Sequence, residues 1–199
     1  MLLVGLGNPG KKYDGTRHNI GFEIIEKIIS KYDFPTPQKK FNALYAEGEI
    51  AKTKVKVLMP QTFMNLSGGS VAEAAKFFKI PLTEIFVFHD ELDLPLGRLK
   101  TKVGGGDGGH NGLKSIDSLC GKNYNRVRVG IGHPGNKDMV SSYVLSRFNA
   151  DESKFAEDIC DVIVDNVNYL VKGDVHLFAT RFAEQIVKFE PKIETKKAE

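Results

Sequence analysis

The sequence predicts a single three-layer α/β domain, a mixed and partly parallel twisted sheet flanked by helices. Three observations carry this. Short apolar runs that read as strands alternate along the chain with segments apolar at helical spacing. The 199 residues are 41% hydrophobic and 27% charged, enough to bury one sizeable core. No internal repeat or linker-like stretch divides them. The domain is expected over residues 1–190, with the charged Lys/Glu segment 191–199 fraying as a tail.

The elements follow in order. Residues 2–6 (Leu-Leu-Val-Gly-Leu) read as a short apolar strand ended by the turn Gly7-Asn8-Pro9-Gly10. Ile20, Ile24, Ile25, Ile28 and Ile29 fall at helical spacing, predicting a helix to about Lys31 that Pro35 and Pro37 end. Residues 44–51 and 54–59 read as a hairpin closed by Pro60. Ser67 is placed to cap a helix burying Val71, Ala74, Ala75 and Phe78 and stopping before Pro81. Residues 85–88 (Ile-Phe-Val-Phe) read as a fully buried strand. Residues 98–103 alternate, putting Arg98, Lys100 and Lys102 on one face of a strand. The glycine-rich loop 104–109 leads to a helix with Leu113, Ile116 and Leu119. Val127, Val129 and Ile131 alternate with Arg126 and Arg128, which are expected on the opposite face. Two helices follow, one carrying Phe155, Ile159, Val162, Ile163 and Leu170, the other Phe178, Ala179, Phe182 and Ile186.

Bulk properties exclude several classes. The longest apolar runs fall far short of the roughly 20 residues a membrane helix needs. The N-terminal apolar run lacks a basic leader and reads as a strand rather than a signal peptide. Cys120 and Cys160 have no metal-like spacing and suit a reduced, cytoplasmic protein. The net charge of +3 is uneven: the window 98–128 holds seven Lys and Arg against two acids, leaving the rest of the chain acidic. Such a patch suits a polyanionic partner or a solvated lysine surface.

Polar residues follow the strands. Asn8 follows the first, Asn65 the one ending at Met59, His89-Asp90 the one ending at Phe88, and His110-Asn111 the glycine loop. His18 lies in the polar run 13–21, just past the first strand. If the strands starting near residues 2, 55 and 85 are parallel neighbours, Asn8, His18, Asn65, Asp90 and Asn111 converge in one crevice at the sheet edge. Each also has a local reading. Asn8 suits a tight turn, Asn65 and Asn111 suit helix caps, Asp90 suits a turn or a cap, and His18 suits a satisfied first-turn histidine. The residues Gly68-Gly69-Ser70-Val71-Ala72 break a nucleophile elbow at the last position. No Gly-Lys-Ser follows the glycine loop, and no metal-ligand spacing is present. What remains is a histidine acting as general base on water, held by an aspartate, with amides positioning substrate. That machinery suits an activated ester.

Five segments together resemble the bacterial-type peptidyl-tRNA hydrolase family. They are Tyr13-x-x-Thr16-Arg17-His18-Asn19-x-Gly21, residues 62–68 (Thr-Phe-Met-Asn-Leu-Ser-Gly), residues 89–93 (His-Asp-Glu-Leu-Asp), Gly104-Gly105-Gly106-x-Gly108 through Lys114, and residues 130–134 (Gly-Ile-Gly-His-Pro). Asp107 within the glycine loop is the one departure from the pattern. The resemblance implies a cytoplasmic, monomeric enzyme that cleaves the ester between a peptide and the 3′-terminal ribose of tRNA. It implies no metal, cofactor, membrane or obligate protein partner. By position, His18 is the implied general base and Asp90 its orienting carboxylate. Asn8 would sense the blocked amino group, and Asn65 and Asn111 would bind near the scissile ester, Asn111 also placing the water. Tyr13, Phe63 and Met64 would line the pocket, and His110 would support Asn111. Lys100, Lys102 and Arg128 would contact tRNA phosphates, and residues 138–147 would form a lid. A non-catalytic RNA-binding relative is the alternative of a different class, separated by a turnover assay.

Overall fold

The computed structural model describes residues 1–190, so the expected tail at 191–199 lies outside the described residues. The chain runs β1 (Leu2–Gly5), α1 (Ile20–Lys31), β2 (Gln38–Lys40), β3 (Ala43–Ile50), β4 (Thr53–Pro60), α2 (Ser67–Phe78) and β5 (Ile85–Glu91). It continues through β6 (Leu99–Val103), α3 (Asn111–Cys120), β7 (Asn125–Gly130), α4 (Val140–Val144), α5 (Ala150–Val171) and α6 (Val175–Ile186). Seven strands form one sheet in the order β2-β3-β4-β1-β5-β7-β6. β4, β1, β5 and β7 are mutually parallel, while β3 and β6 pair antiparallel at the two sides. The expected mixed three-layer α/β architecture is the one observed.

Alternation of side chains gives the sheet two cores. Leu3, Val57, Phe86, Phe88, Val127 and Val129 face one way and pack with α1, α5 and α6. Leu2, Val4, Leu58, Ile85 and Val87 face the other way, with Val71, Leu113 and Ile116 from α2 and α3. No described helix is long and apolar enough to cross a membrane.

The connection from β1 to α1 sets the site. A Cβ on Gly21 would stand 2.4 Å from the Phe88 carbonyl oxygen, and one on Gly5 would stand 2.2 Å from the Gly21 oxygen. Only a glycine pair lets α1 lie this close to β1 and β5. The closeness holds the 3-10 turn Arg17–Asn19, just before α1, against the ends of the strands.

Several local expectations need correction. β5 continues to Glu91, so His89 and Asp90 lie inside the strand, where ladder bonds to β7 extend it past the apolar run. Ser67 does not cap α2: its hydroxyl donates to the Met64 carbonyl at 2.8 Å, and Met64–Leu66 form a 3-10 turn first. α1 ends at Lys31 as expected, though ahead of both prolines rather than at them, and Arg98 precedes β6. Leu119 is 60% exposed because α3 turns only Leu113 and Ile116 inward. Arg126 is buried, for reasons given below. Sequence periodicity did not reveal β2 or α4, which are three and five residues long.

The seam between α1 and α5 is ionic. Lys27 meets Asp161 at 2.6 Å, and Lys31 pairs with Asp165. Glu23 on the same face is pushed up to about 7 by burial, aided by the Glu26 and Glu157 carboxylates and opposed by Lys27. A raised carboxyl contributes stability that is complete below its unfolded value near 4.5 and is lost as pH rises through about 7. Glu23→Gln, neutral throughout, is expected to melt above wild type at pH 8 and level with it near pH 4.5. Thermal unfolding across that range checks this, and an offset that does not vary with pH would refute it.

Candidate active site

A cleft of about 790 Å³ opens at the C-terminal ends of the parallel strands. That is where an open α/β sheet whose order reverses around β1 leaves a crevice. Asn8, Tyr13, His18, Phe63, Met64, Asn65, Asp90, His110 and Asn111 all line it. The expected convergence therefore holds as geometry. Lys100, Lys102 and Arg128 are not among the lining residues and lie on the neighbouring strands β6 and β7.

Asp90 is the centre. It is 4% exposed, and both carboxylate oxygens lie 2.9 Å from His18 Nδ1. His110 Nε2 lies 3.0 Å from Oδ1 of the same carboxylate. Burial alone would raise the Asp90 pKa. The two histidines outweigh it and hold the carboxyl well below the usual range. An ionised carboxylate only accepts, so His18 Nδ1 and His110 Nε2 must both donate.

The rest of the row fixes the same protons. His110 caps α3, its Nδ1 accepting from the Gly112 N–H at 3.1 Å and the Leu113 N–H at 3.4 Å. Its lone pair is therefore at Nδ1 and its proton at Nε2. The capping residue of α3 is thus His110, and Asn111 is left exposed as the first helical residue. With Nδ1 of His18 donating to Asp90, its Nε2 has no hydrogen-bond partner among the described residues, and in the neutral ring that nitrogen carries the lone pair. The ligand-type atoms of His18, Asp90 and His110 lie within 4.8 Å of one another, as a metal site would require. The donor pattern opposes that use. A cation on His110 Nε2 would drive the proton to Nδ1, against the Gly112 N–H.

His89, on β5 beside Asp90, was not singled out from the sequence as a site residue. It is 1% exposed, its Nδ1 donates to the Asp90 carbonyl at 2.8 Å, and its ring meets the His110 ring edge-on at 5.1 Å. Burial, with His110 next, pushes its pKa down to about 3, so it stays neutral.

The amides are held differently. Asn8 Oδ1 accepts from the Met64 N–H at 2.8 Å, so its Nδ2 is the free end of the amide. Asn19 grips the Asn8 backbone twice: its Oδ1 accepts the Asn8 N–H at 2.8 Å, and its Nδ2 donates to the Asn8 carbonyl at 2.9 Å. Asn65 and Asn111 are exposed on the cleft wall. Asn65 sits within the 3-10 turn 64–66 and caps nothing. Phe63 is 57% exposed, whereas Met64 is buried. Glu91, Leu92 and Asp93 complete one wall, and Val140, Ser141, Val144 and Leu145 form another.

The basic window is partly neutralised inside the protein. Arg126 pairs with Asp117 at 2.8 Å and donates to the Gly105 and Gly106 carbonyls, tying down the glycine loop from below. Arg128 pairs with Glu91 at 2.8 Å, and Arg98 with Glu190 at 2.8 Å. Lys100 and Lys102 remain exposed or nearly so on β6 and form no ion pair with a described residue.

Comparison with known proteins agrees with this architecture. Residues 2–190 match the family model described as peptidyl-tRNA hydrolase. A peptidyl-tRNA hydrolase of Azorhizobium caulinodans is 51% identical over 181 residues, covering 91% of this chain and 89% of that protein. One of Xanthobacter autotrophicus is 50% identical over 194 residues, covering 93% and 96%. The crystal structure of peptidyl-tRNA hydrolase from Acinetobacter baumannii superposes with a TM-score of 0.87 at 41% identity, covering 92% of this chain and 93% of that one.

The proton assignments are open to direct measurement. Long-range proton–nitrogen correlation spectra are expected to show His110 protonated at Nε2 and His89 at Nδ1, with His89 unchanged between pH 8 and pH 5. A His89 that titrates in that interval would contradict the arrangement.

Proposed function

The chain belongs to the peptidyl-tRNA hydrolase family, and on that premise we propose that His18 activates the water that cleaves the ester of peptidyl-tRNA. The enzyme hydrolyses the bond between the peptide and the 3′-terminal ribose and so frees the tRNA. The observation that carries the mechanism is the hydrogen-bonded row His18–Asp90–His110 at the cleft, with His18 Nε2 unengaged by any described residue. Ser141 is the serine on the lining, and it makes no hydrogen bond to either histidine. This supports water as the attacking group.

His18 Nε2 takes a proton as the water oxygen bonds to the ester carbonyl carbon. The imidazolium that forms is stabilised by Asp90, which keeps its charge throughout, as in hydrolytic triads. Collapse of the tetrahedral intermediate breaks the bond to the ribose 3′-oxygen, and the imidazolium returns the proton to that leaving oxygen. Asn111, at the positive end of α3, places the water and stabilises the developing oxyanion. Asn65 binds substrate opposite it. Asn8 presents its free Nδ2 donor to the first carbonyl beyond the blocked amino group, separating peptidyl-tRNA from free aminoacyl-tRNA. Tyr13, Phe63 and Met64 support the terminal adenosine and the peptide. His110 supports Asn111 and shares the Asp90 charge.

Lys100, Lys102 and Arg128 are assigned to tRNA phosphates, which give affinity without base reading. Arg128 does so while paired to Glu91 and is the weakest of the three. The enzyme acts as a cytoplasmic monomer of one domain over residues 1–190, and the segment 138–147 closes over bound substrate.

His18→Ala is expected to lower turnover of an N-blocked aminoacyl-tRNA by about 10²–10⁴-fold while tRNA binding persists. Full activity in that variant would sink the mechanism. Lys100→Ala with Lys102→Ala is expected to weaken tRNA binding and flatten its salt dependence by about one to two phosphate contacts. Binding measured against salt concentration decides this, and a wild-type slope would count against the β6 face.

A further inference from the structure

We propose that Arg17 is a positioning residue for the hydrolysis. One buried guanidinium would fix the turn carrying His18 on one side of the cleft and the α4 wall on the other. The proposal rests on the reading of His18 as general base.

Arg17 immediately precedes His18 and is only 5% exposed, unusual for an arginine. Its Nη1 donates to Ser146 Oγ at 2.9 Å and to the Arg147 carbonyl, and its Nη2 forms an ion pair with Glu152. The guanidinium lies over the rings of Tyr143, 4.4 Å away, and Phe148, 4.8 Å away. Backbone contacts run in parallel. The Arg17 N–H donates to the Ser146 carbonyl at 3.0 Å, and Thr16 forms an isolated antiparallel bridge with Arg147. The turn with the general base and the segment after α4 are thus joined through one side chain.

Glu152 has a second task. Its Oε2 accepts the Asn149 N–H at 3.0 Å, and its own N–H donates to Asn149 Oδ1 at 2.8 Å, which closes a capping box at the start of α5. The same oxygen holds Arg17. The first turn of α5, the end of α4 and the 3-10 turn of His18 therefore meet at one guanidinium–carboxylate pair. The α4 residues Val140, Ser141 and Val144 are cleft wall. A shift at this node moves the wall and the base relative to each other, and displacements of about 1 Å at a reacting centre can cost on the order of 10²-fold in rate. Lysine keeps the charge but lacks the planar fork that reaches three acceptors at once.

Two variants separate positioning from folding. Glu152→Gln keeps the capping box, which glutamine also closes, and removes the charge facing Arg17. Arg17→Lys keeps the charge and removes the fork. Both are assayed beside wild type and His18→Ala on an N-blocked aminoacyl-tRNA, at a temperature where circular dichroism shows each folded. The expected result is a kcat lowered by roughly 10-fold in Glu152→Gln and roughly 10- to 100-fold in Arg17→Lys. KM should change far less. The acid limb of the pH–rate profile should stay in place, because Arg17 touches neither the imidazole nor Asp90. Wild-type kcat in folded variants, whatever their melting temperatures, would overturn the proposal, as would a displaced acid limb. If Arg17→Lys does not fold, Glu152→Gln decides alone. An active His18→Ala would instead refute the general-base reading on which the proposal rests.

Discussion

The site depends on one buried charge. A carboxylate withdrawn from water is tolerated only where donors replace the water. Asp90 has both histidines in that role. Meeting its needs determines much around it. β5 extends into polar sequence to carry it, the close packing of Gly5 and Gly21 brings in the His18 turn, and α3 begins where His110 can cap and donate together. The direction of every proton in the row then follows. Gly112 donates to His110, His110 donates to Asp90, and His18 donates to Asp90 from the other side. The unengaged end of the row is His18 Nε2, at the cleft.

Much of this was legible in the sequence because it depends on local periodicity. The apolar runs at 2, 55 and 85 marked strands, and the parallel pairing of β4, β1 and β5 brings Asn8, His18, Asn65, Asp90 and Asn111 to one edge. What was not legible depends on tertiary partners. Nothing local marks Arg17 as buried, because its counter-charge, Glu152, is 135 positions away. His110 reads as support for Asn111; its further roles as the α3 cap and a second donor to Asp90 come from the fold. An expected strand end at Phe88 ignores a ladder that pairs Asp90 with Val129 regardless of polarity. The five residues of α4 repeat no pattern that periodicity could detect.

Charge shows the same division. The basic window is a property of the linear chain, but ion pairing is decided in space. Three of its arginines satisfy carboxylates within the protein, one of them an acid from inside the window and two from outside it. Buried Arg126 serves the glycine loop by holding two of its carbonyls, which a loop without side chains cannot secure for itself. The charge left for a partner is carried chiefly by lysines, whose flexible stems suit contacts to phosphates rather than to bases.

The position of Lys100 and Lys102 has one more consequence. β6 is an edge strand, with one side of its backbone unpaired. An open edge is a template for another strand, and charged lysines on it are a common guard against self-association. The opposite edge, β2, is short and carries Lys39 and Lys40. The two lysines proposed to meet RNA therefore also set charge along an edge that any added strand would have to approach. Replacing them to weaken RNA contact would strip that charge from the edge as well.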